Sequence, residues 1–259
     1  MTKYVVSDTI DPTDVIISVK DLSVQYDDRV ILENVSFNIY RKEIFVIVGK
    51  SGCGKSTLLR QLIGLETPTK GTIIINGEDL TKTNEKDAIK IMSKNGVLFQ
   101  FNGLFASMTL EENITLILEK YTALTPKQIK DATDLKLSLV GLSGFQNYKP
   151  AEISGGMKKR AALARAMALD PEILFFDEPS SGLDPITAAS LDNLIKELNT
   201  SLRTTMVIVS HDLSSILNIS HRIIMLDSSI KGILATGTPS ELKNNKTNTE
   251  VYNFFNRTT

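Results

Sequence analysis

The sequence predicts an α/β protein, a core of parallel strands joined by helices, with an antiparallel β portion and a helical insert. Three observations carry that prediction. Short β-rich runs separated by charged or glycine-containing turns fill residues 16–77. Continuously apolar runs of strand length stand at 44–48, 173–176 and 206–209, as expected of strands covered on both faces, and helical spacing follows the first two. Between 101 and 153 the pattern changes to apolar residues three or four positions apart.

In chain order, residues 1–14 carry Asp, Thr and Pro without periodicity and read as a leader. Strands are expected at 16–19, 35–39, 44–48 and 72–75, the last closed by Asn76-Gly77, a strong hairpin dipeptide. Residues 57–63 have helical spacing and Gly64 ends them. In the insert, 109–121 and 125–142 read as helices. Ile129, Ala132, Leu135, Leu139 and Leu142 recur at helical spacing, and Thr125-Pro126-Lys127-Gln128 sets an N-cap, an N1 proline and an N3 glutamine in register for a capping box. The α/β pattern resumes with a helix at 158–169, a strand at 173–176, a helix opened by Asp184-Pro185 and running to 199, and a strand at 206–209. Residues 223–226 and 230–235 suggest a hairpin, and Thr238-Pro239-Ser240-Glu241 a second capping box. Residues 244–259 read as a polar tail whose Tyr252, Phe254 and Phe255 either pack on this domain or dock on a second copy or a regulator. The expected division is a leader (1–14), one domain (15–243) with its helical part at about 101–153, and a tail (244–259).

Composition excludes several classes. Of 259 residues 42% are hydrophobic and 23% charged, which supports a buried core and argues against disorder. With 29 Lys+Arg against 30 Asp+Glu there is no overall basic field, so nucleic acid is not the expected partner. Cys53 is the single cysteine, which excludes an internal disulfide, and the polar, acidic start lacks the pattern of a secretory signal. Apolar runs fall far short of the roughly 18 residues that span a bilayer. The expected location is cytoplasmic, with any membrane role exercised through a partner.

Gly49-Lys50-Ser51-Gly52-Cys53-Gly54-Lys55-Ser56, set between an apolar strand and a helix, matches the P-loop pattern in full. Phosphate oxygens need backbone N–H donors converging from one side, and glycines let the chain turn tightly enough to supply them. Lys55 then reaches the β- and γ-phosphates and Ser56 ligates Mg²⁺; Thr57, next in the chain, completes the nucleotide-binding set. A plain glycine-rich turn is the alternative, disfavoured by the strand before and the helix after.

Leu174-Phe175-Phe176-Asp177-Glu178 is an apolar strand ending in two carboxylates. In a P-loop NTPase Asp177 holds Mg²⁺ through water and Glu178 polarises the attacking water. Alone the run is weak, since strands often end in acidic turns; the complete P-loop favours the functional reading. His211 directly follows a strand, at the edge where open α/β sheets bind ligands. Lone histidines are more often structural, and His221 reads as an ordinary helix-end residue, but the order of the motifs sets His211 near the γ-phosphate. Ser154-Gly155-Gly156 precede Lys158-Lys159-Arg160 and a helix, so a hydroxyl and glycine amides form a second anion site at a helix N-terminus. One nucleotide needs one phosphate cradle, which points to a nucleotide held by another copy.

Taken in order, Gly49 to Ser56, Gln100, Ser154-Gly155-Gly156, Asp177-Glu178, Ser181-Gly182-Leu183-Asp184 and His211 resemble the nucleotide-binding subunit of an ABC transporter, over roughly residues 15–240. That resemblance implies the ABC ATPase fold, a P-loop NTPase core with an antiparallel β subdomain and a helical insert, and ATP and Mg²⁺ as cofactors. It also implies that Tyr26 stacks on adenine, that Gln100 touches Mg²⁺ and the lytic water while linking to the helical insert, and that Ser154 to Gly156 close on ATP bound to the opposite subunit. Asp184 then crosses the dimer interface, and His211 clamps the γ-phosphate beside Glu178. For Tyr26 a half-buried strand aromatic is the plain alternative. Two stretches depart from the family pattern: Ile153 to Met157 stand for Leu-Ser-Gly-Gly-Gln, and Lys42-Glu43 for Gly-Glu. Met157, the Lys158 to Ala166 run and Asp184-Pro185-Ile186-Thr187 resemble the ATPases of Mla-type, MCE-linked phospholipid transporters. Phe99-Gln100 and Leu104-Phe105 are similar to them as well, whereas Phe101 and Asn102 depart.

The leading expectation is a transport ATPase in which two copies sandwich two ATP·Mg²⁺ and drive a pair of integral membrane permease subunits. Its further partners would be an MCE-domain protein and a small soluble regulatory subunit, at the cytoplasmic face of the inner membrane. The alternatives are an ABC ATPase of a non-transport assembly system, an importer or exporter of another substrate, and a regulatory nucleotide binder without turnover. The presence of both Glu178 and His211 argues against the last.

Overall fold

The computed structural model describes residue 11 and residues 13–258. The rest of the leader expected at 1–14 lies outside the described residues. The chain opens with two long strands, β1 (Val15–Tyr26) and β2 (Arg29–Tyr40), enters β3 (Ile44–Gly49), and passes a glycine loop into α1 (Lys55–Leu62). Next come β4 (Lys70–Ile75) and β5 (Glu78–Asp79), joined by Asn76 and Gly77 at φ 52° and 79°, the hairpin turn that the dipeptide predicts. The middle of the chain is α2 (Glu85–Met92), β6 (Asn95–Leu98), and the helices α3 (Leu110–Tyr121), α4 (Pro126–Leu139) and α5 (Gly155–Ala166). It ends with β7 (Ile173–Asp177), α6 (Pro185–Leu202), β8 (Thr205–Val209), α7 (Leu213–Ile219), β9 (Arg222–Asp227), β10 (Gly232–Gly237), α8 (Pro239–Lys243) and α9 (Thr249–Asn256).

Two sheets result. An antiparallel one runs β2-β1-β4-β5, and a six-stranded one runs β10-β9-β3-β8-β7-β6, parallel except for β10. Every residue of β3 and β8 is buried, which is why both are apolar from 44 to 48 and from 206 to 209. Alternate residues serve different cores. Ile44, Val46, Val48, Leu174, Phe176, Met206 and Ile208 join the core shared with α3, α4, α5 and α6; Phe45, Ile47, Phe175, Val207 and Val209 join the core shared with α1 and the antiparallel sheet. Burying each such side chain contributes about 1.5–3 kcal/mol.

Several elements differ from their sequence reading. β1 and β2 are twelve residues each, because polar residues on their exposed face interrupt the apolar pattern and Asp21 (φ 49°) and Asn34 (φ 50°) bend the ladder. α5 begins at Gly155 rather than at residue 158, since the Ser154 hydroxyl accepts from the Met157 N–H and caps it there. α4 ends at Leu139, before Gly141 turns at φ 72°. The unread strand β6 carries Asn95-Gly96, which looks like a turn. Gly96 instead lets α5 come close: a Cβ there would lie 2.2 Å from the Ala166 carbonyl oxygen. Residues 244–259, read as a polar tail, include α9, whose Val251 and Phe255 are buried in the larger core. The capping boxes at Thr125 and Thr238 are formed, and Thr109 with Glu112 makes another. Lys42 takes the left-handed φ of 67° that favours glycine, and the neighbouring Glu43 is fully buried against Arg222 at 2.7 Å.

Candidate active site

The glycine loop lies at the carboxyl end of β3, and two of its glycines are sterically required. Gly49 has φ 149° and a Cβ there would meet the Leu226 carbonyl oxygen at 2.4 Å; Gly54 has φ 100° and a Cβ would meet Leu32 Cδ2 at 2.9 Å. Lys55 folds over its own loop, its ammonium donating to the carbonyls of Gly49 at 2.8 Å and Lys50 at 3.0 Å. The Cys53 side chain is buried beneath the loop, where burial pushes its thiol pKa up, and Cys53 does not line the cleft.

A cleft of about 660 Å³ opens above the loop. Gly49 to Gly52 and Gly54 to Thr57 form its floor; Asp177 and Glu178 enter from the end of β7, His211 from the end of β8, and Gln100 from the segment after β6. All four strand ends are carboxyl ends of parallel strands, where open α/β sheets bind ligands. Glu178 sits at φ 49°, its N–H donating to the Val209 carbonyl at 2.9 Å, and this left-handed turn lifts its side chain toward β8. His211 Nδ1 lies 2.8 Å from Glu178 Oε2, which the His211 N–H also approaches at 3.4 Å.

Asp177 is half-buried. Burial first, then the charge of Glu178, raise its pKa; Arg60, Lys159 and Lys55 oppose the shift. Lys159, buried in α5, donates from its ammonium to the Gln100 carbonyl at 2.6 Å. Burial holds its pKa below the usual lysine range, with the fields of Asp177 and Glu178 acting the other way.

Other expected residues stand apart from this cleft. Tyr26 borders an adjoining hollow that shares Arg29, Ile31 and Gly52 with it; its hydroxyl donates to the Glu66 carboxylate, and burial foremost raises its pKa. Ser154, Gly155 and Gly156 open α5 and Asp184 opens α6, none of them lining the cleft. The Asp184 carboxylate accepts from the Thr187 hydroxyl at 2.5 Å and from the Thr187 and Ile186 N–H groups, which holds its pKa down. Gly156 packs against α6 so closely that a Cβ would meet Thr187 Cγ2 at 2.4 Å. Sequence reasoning missed Arg29, Ile31 and Phe254 in the cleft wall and Lys159 behind it. The tail aromatics were a signal for Phe254; Lys159 gave none, since Lys158-Lys159-Arg160 reads as a solvated basic run.

Ser56 hydroxyl, Gln100 and the Asp177 carboxylate all offer hard oxygen donors. No group of three or more His, Cys, Asp or Glu able to hold a metal occurs among the described residues. That sparse set suits Mg²⁺, which is typically held by one or two carboxylates together with substrate phosphates.

A parallel sheet with a glycine loop at one strand end and paired carboxylates at another defines a P-loop nucleotide-binding protein. Residues 32–181 match the ABC transporter family model. The chain belongs to the ABC transporter family and carries its ATP-binding domain, an ABC ATPase. It is 43% identical over 203 residues to the probable ribonucleotide transport ATP-binding protein mkl of Mycobacterium leprae, covering 78% of this chain and 58% of that one, so it spans little more than half the relative's length. To the intermembrane phospholipid transport system ATP-binding protein MlaF of Escherichia coli K12 it is 38% identical over 231 residues, covering 89% and 85%. The dimeric post-hydrolysis state of the ATP-binding cassette MJ0796 with ADP and Pi superposes with a TM-score of 0.76 at 29% identity, covering 86% of this chain and 98% of that one. No helix among the described residues is long and apolar enough to cross a membrane.

Proposed function

We propose that this chain is the ATP-hydrolysing subunit of a transporter that moves phospholipid between membranes of the cell envelope. The observation that carries the reading is the single cleft in which the P-loop, Gln100, Asp177, Glu178 and His211 converge. In it the loop N–H groups and Lys55 bind the β- and γ-phosphates, and Tyr26, at the adjoining hollow, meets the base. Glu178 accepts the proton of the attacking water. His211 supports Glu178 through Nδ1, which leaves Nε2 for the γ-phosphate. Ser56, Gln100 and Asp177 would hold Mg²⁺, which would neutralise charge building up on the phosphates.

Ser154, Gly155, Gly156 and Asp184 lie outside their own chain's cleft, which supports a sandwich in which they complete the site of a second copy. The dimer described for MJ0796 favours the same arrangement. A groove of about 330 Å³ lined by Ile89, Met92, Phe99, Ile117, Tyr121 and Leu169, with Phe101 88% exposed two residues along, offers an apolar face for an integral membrane permease. Such a permease would hold the chain at the cytoplasmic face of the inner membrane, with an MCE-domain protein and a small soluble regulator in the assembly.

Phospholipid is favoured as cargo because the likeness to MlaF runs nearly the length of both chains. Mkl, more identical over a shorter span, is named for ribonucleotide transport and supplies the competing cargo. Pull-down of the tagged chain from its native membranes in mild detergent, followed by mass spectrometry, tests the proposal. A multi-spanning permease recovered with an MCE-domain protein is the expected result. Soluble partners alone would make it an assembly ATPase, and a permease with a nucleotide-binding receptor would redirect the cargo.

A further inference from the structure

Two cations of α5 reach from that helix to the segment that carries Gln100. The Lys159 ammonium donates to the Gln100 carbonyl at 2.6 Å, and six residues on, Arg165 Nη1 donates to the Gly103 carbonyl at 2.7 Å while its guanidinium lies 5.1 Å from the centre of the Phe105 ring. Between these two grips the backbone turns through Asn102 at φ 68° and Gly103 at φ 66°, with Asn102 N–H donating to the Phe99 carbonyl and Gly103 N–H to that of Phe101. Lys159 is only 4% exposed. A buried ammonium is costly unless it makes charge-assisted hydrogen bonds, and a long apolar side chain would fill the same space without that cost. The lysine at this place therefore serves the bond it makes.

We propose that Lys159 is a positioning residue for ATP hydrolysis. It fixes the backbone at Gln100, so that the Gln100 amide stands in the cleft with Asp177 and Glu178. It also ties that placement to the helix whose first residues, with their Ser154 cap, are offered to the second copy. Arg165 holds the far end of the same segment. The inference rests on the site reading above, in which Gln100 acts at the reacting water and its cation.

Three variants of the full chain test it: Lys159→Met, Lys159→Arg and Gln100→Ala. Lys159→Met should lower kcat about ten-fold or more at saturating ATP while the Kd for ATP stays within about two-fold, and Lys159→Arg should restore kcat to within about three-fold. Independently of turnover, amide exchange at Asn102 and Gly103 should accelerate about ten-fold in Lys159→Met, while Val207 and Ile208 in β8 keep their protection. Unchanged exchange at those two amides would overturn the proposal, as would kcat, ATP binding and β8 protection all falling together. Normal turnover by Gln100→Ala would instead sink the role given to Gln100, and the exchange measurement would still judge the tie. If Lys159→Met does not fold, Lys159→Gln takes its place; failure of both to fold would make the residue a prop of the core and end the proposal.

Discussion

Asp177 and Glu178 are adjacent in sequence yet meet different surroundings, and their variants should behave differently. Glu178 is held by His211 at 2.8 Å over the glycine loop. Glu178→Gln keeps the shape and removes the proton acceptor, so single-turnover hydrolysis should slow by about 10²–10⁴-fold with ATP still bound; hydrolysis at the normal rate would take the role of base from this residue. Asp177 has a raised pKa because burial, and then Glu178, oppose its charge. Between the ordinary carboxylate value and the raised native one the folded chain keeps a proton that the unfolded chain has released, and this group's contribution to stability falls as pH rises through that window. Without nucleotide, Asp177→Asn should therefore melt above the parent chain at about pH 7.5, with the gap narrowing toward about pH 4. A gap that did not change with pH would rule that out. Both carboxylates are legible in the sequence, because an apolar strand ending in acids beside a complete P-loop is a local pattern. Lys159 is not: only the helix register shows that 159 points inward while its basic neighbours stay partly exposed.

Among the elements, those that satisfy themselves locally are the most legible. The strands β3, β7 and β8 announce themselves by apolar runs at 44–48, 173–176 and 206–209, and the helix starts at Thr125, Asp184 and Thr238 by side chains that bond within three residues. Elements fixed by distant partners are not legible. The length of β2 depends on its pairing with β1, and β6 on the approach of α5 to Gly96. The helix α9 is the clearest instance. Its polar sequence reads as a tail, yet Phe255 is 1% exposed and packs in the core with Val251, Phe254 lines the nucleotide cleft, and Glu250 pairs with Lys50 of the glycine loop. Phe255→Ala should accordingly cost about 3–5 kcal/mol in urea unfolding, the penalty of a core aromatic. A loss below about 1 kcal/mol would return α9 to the status of a loosely attached end.

At the scale of the whole molecule, the two sheets and α9 together gather into one cleft residues as far apart in sequence as Arg29 and Phe254. The motif order announces that gathering; the packing behind it emerges only in three dimensions. The six-stranded sheet sets a schedule. β3, which presents the glycine loop, is flanked by β8 and β9, with Ile44 opposite Met206 and Phe45 opposite Arg222. Its neighbours on both sides are thus made more than 150 residues after it. A ribosome that has translated the loop has not yet made the strands that shape it. Nascent chains arrested before Thr205 should retain no ATP on an affinity resin, and binding should appear only once Asp227 has cleared the exit tunnel. The catalytic loop is written early in the message and becomes usable late in synthesis.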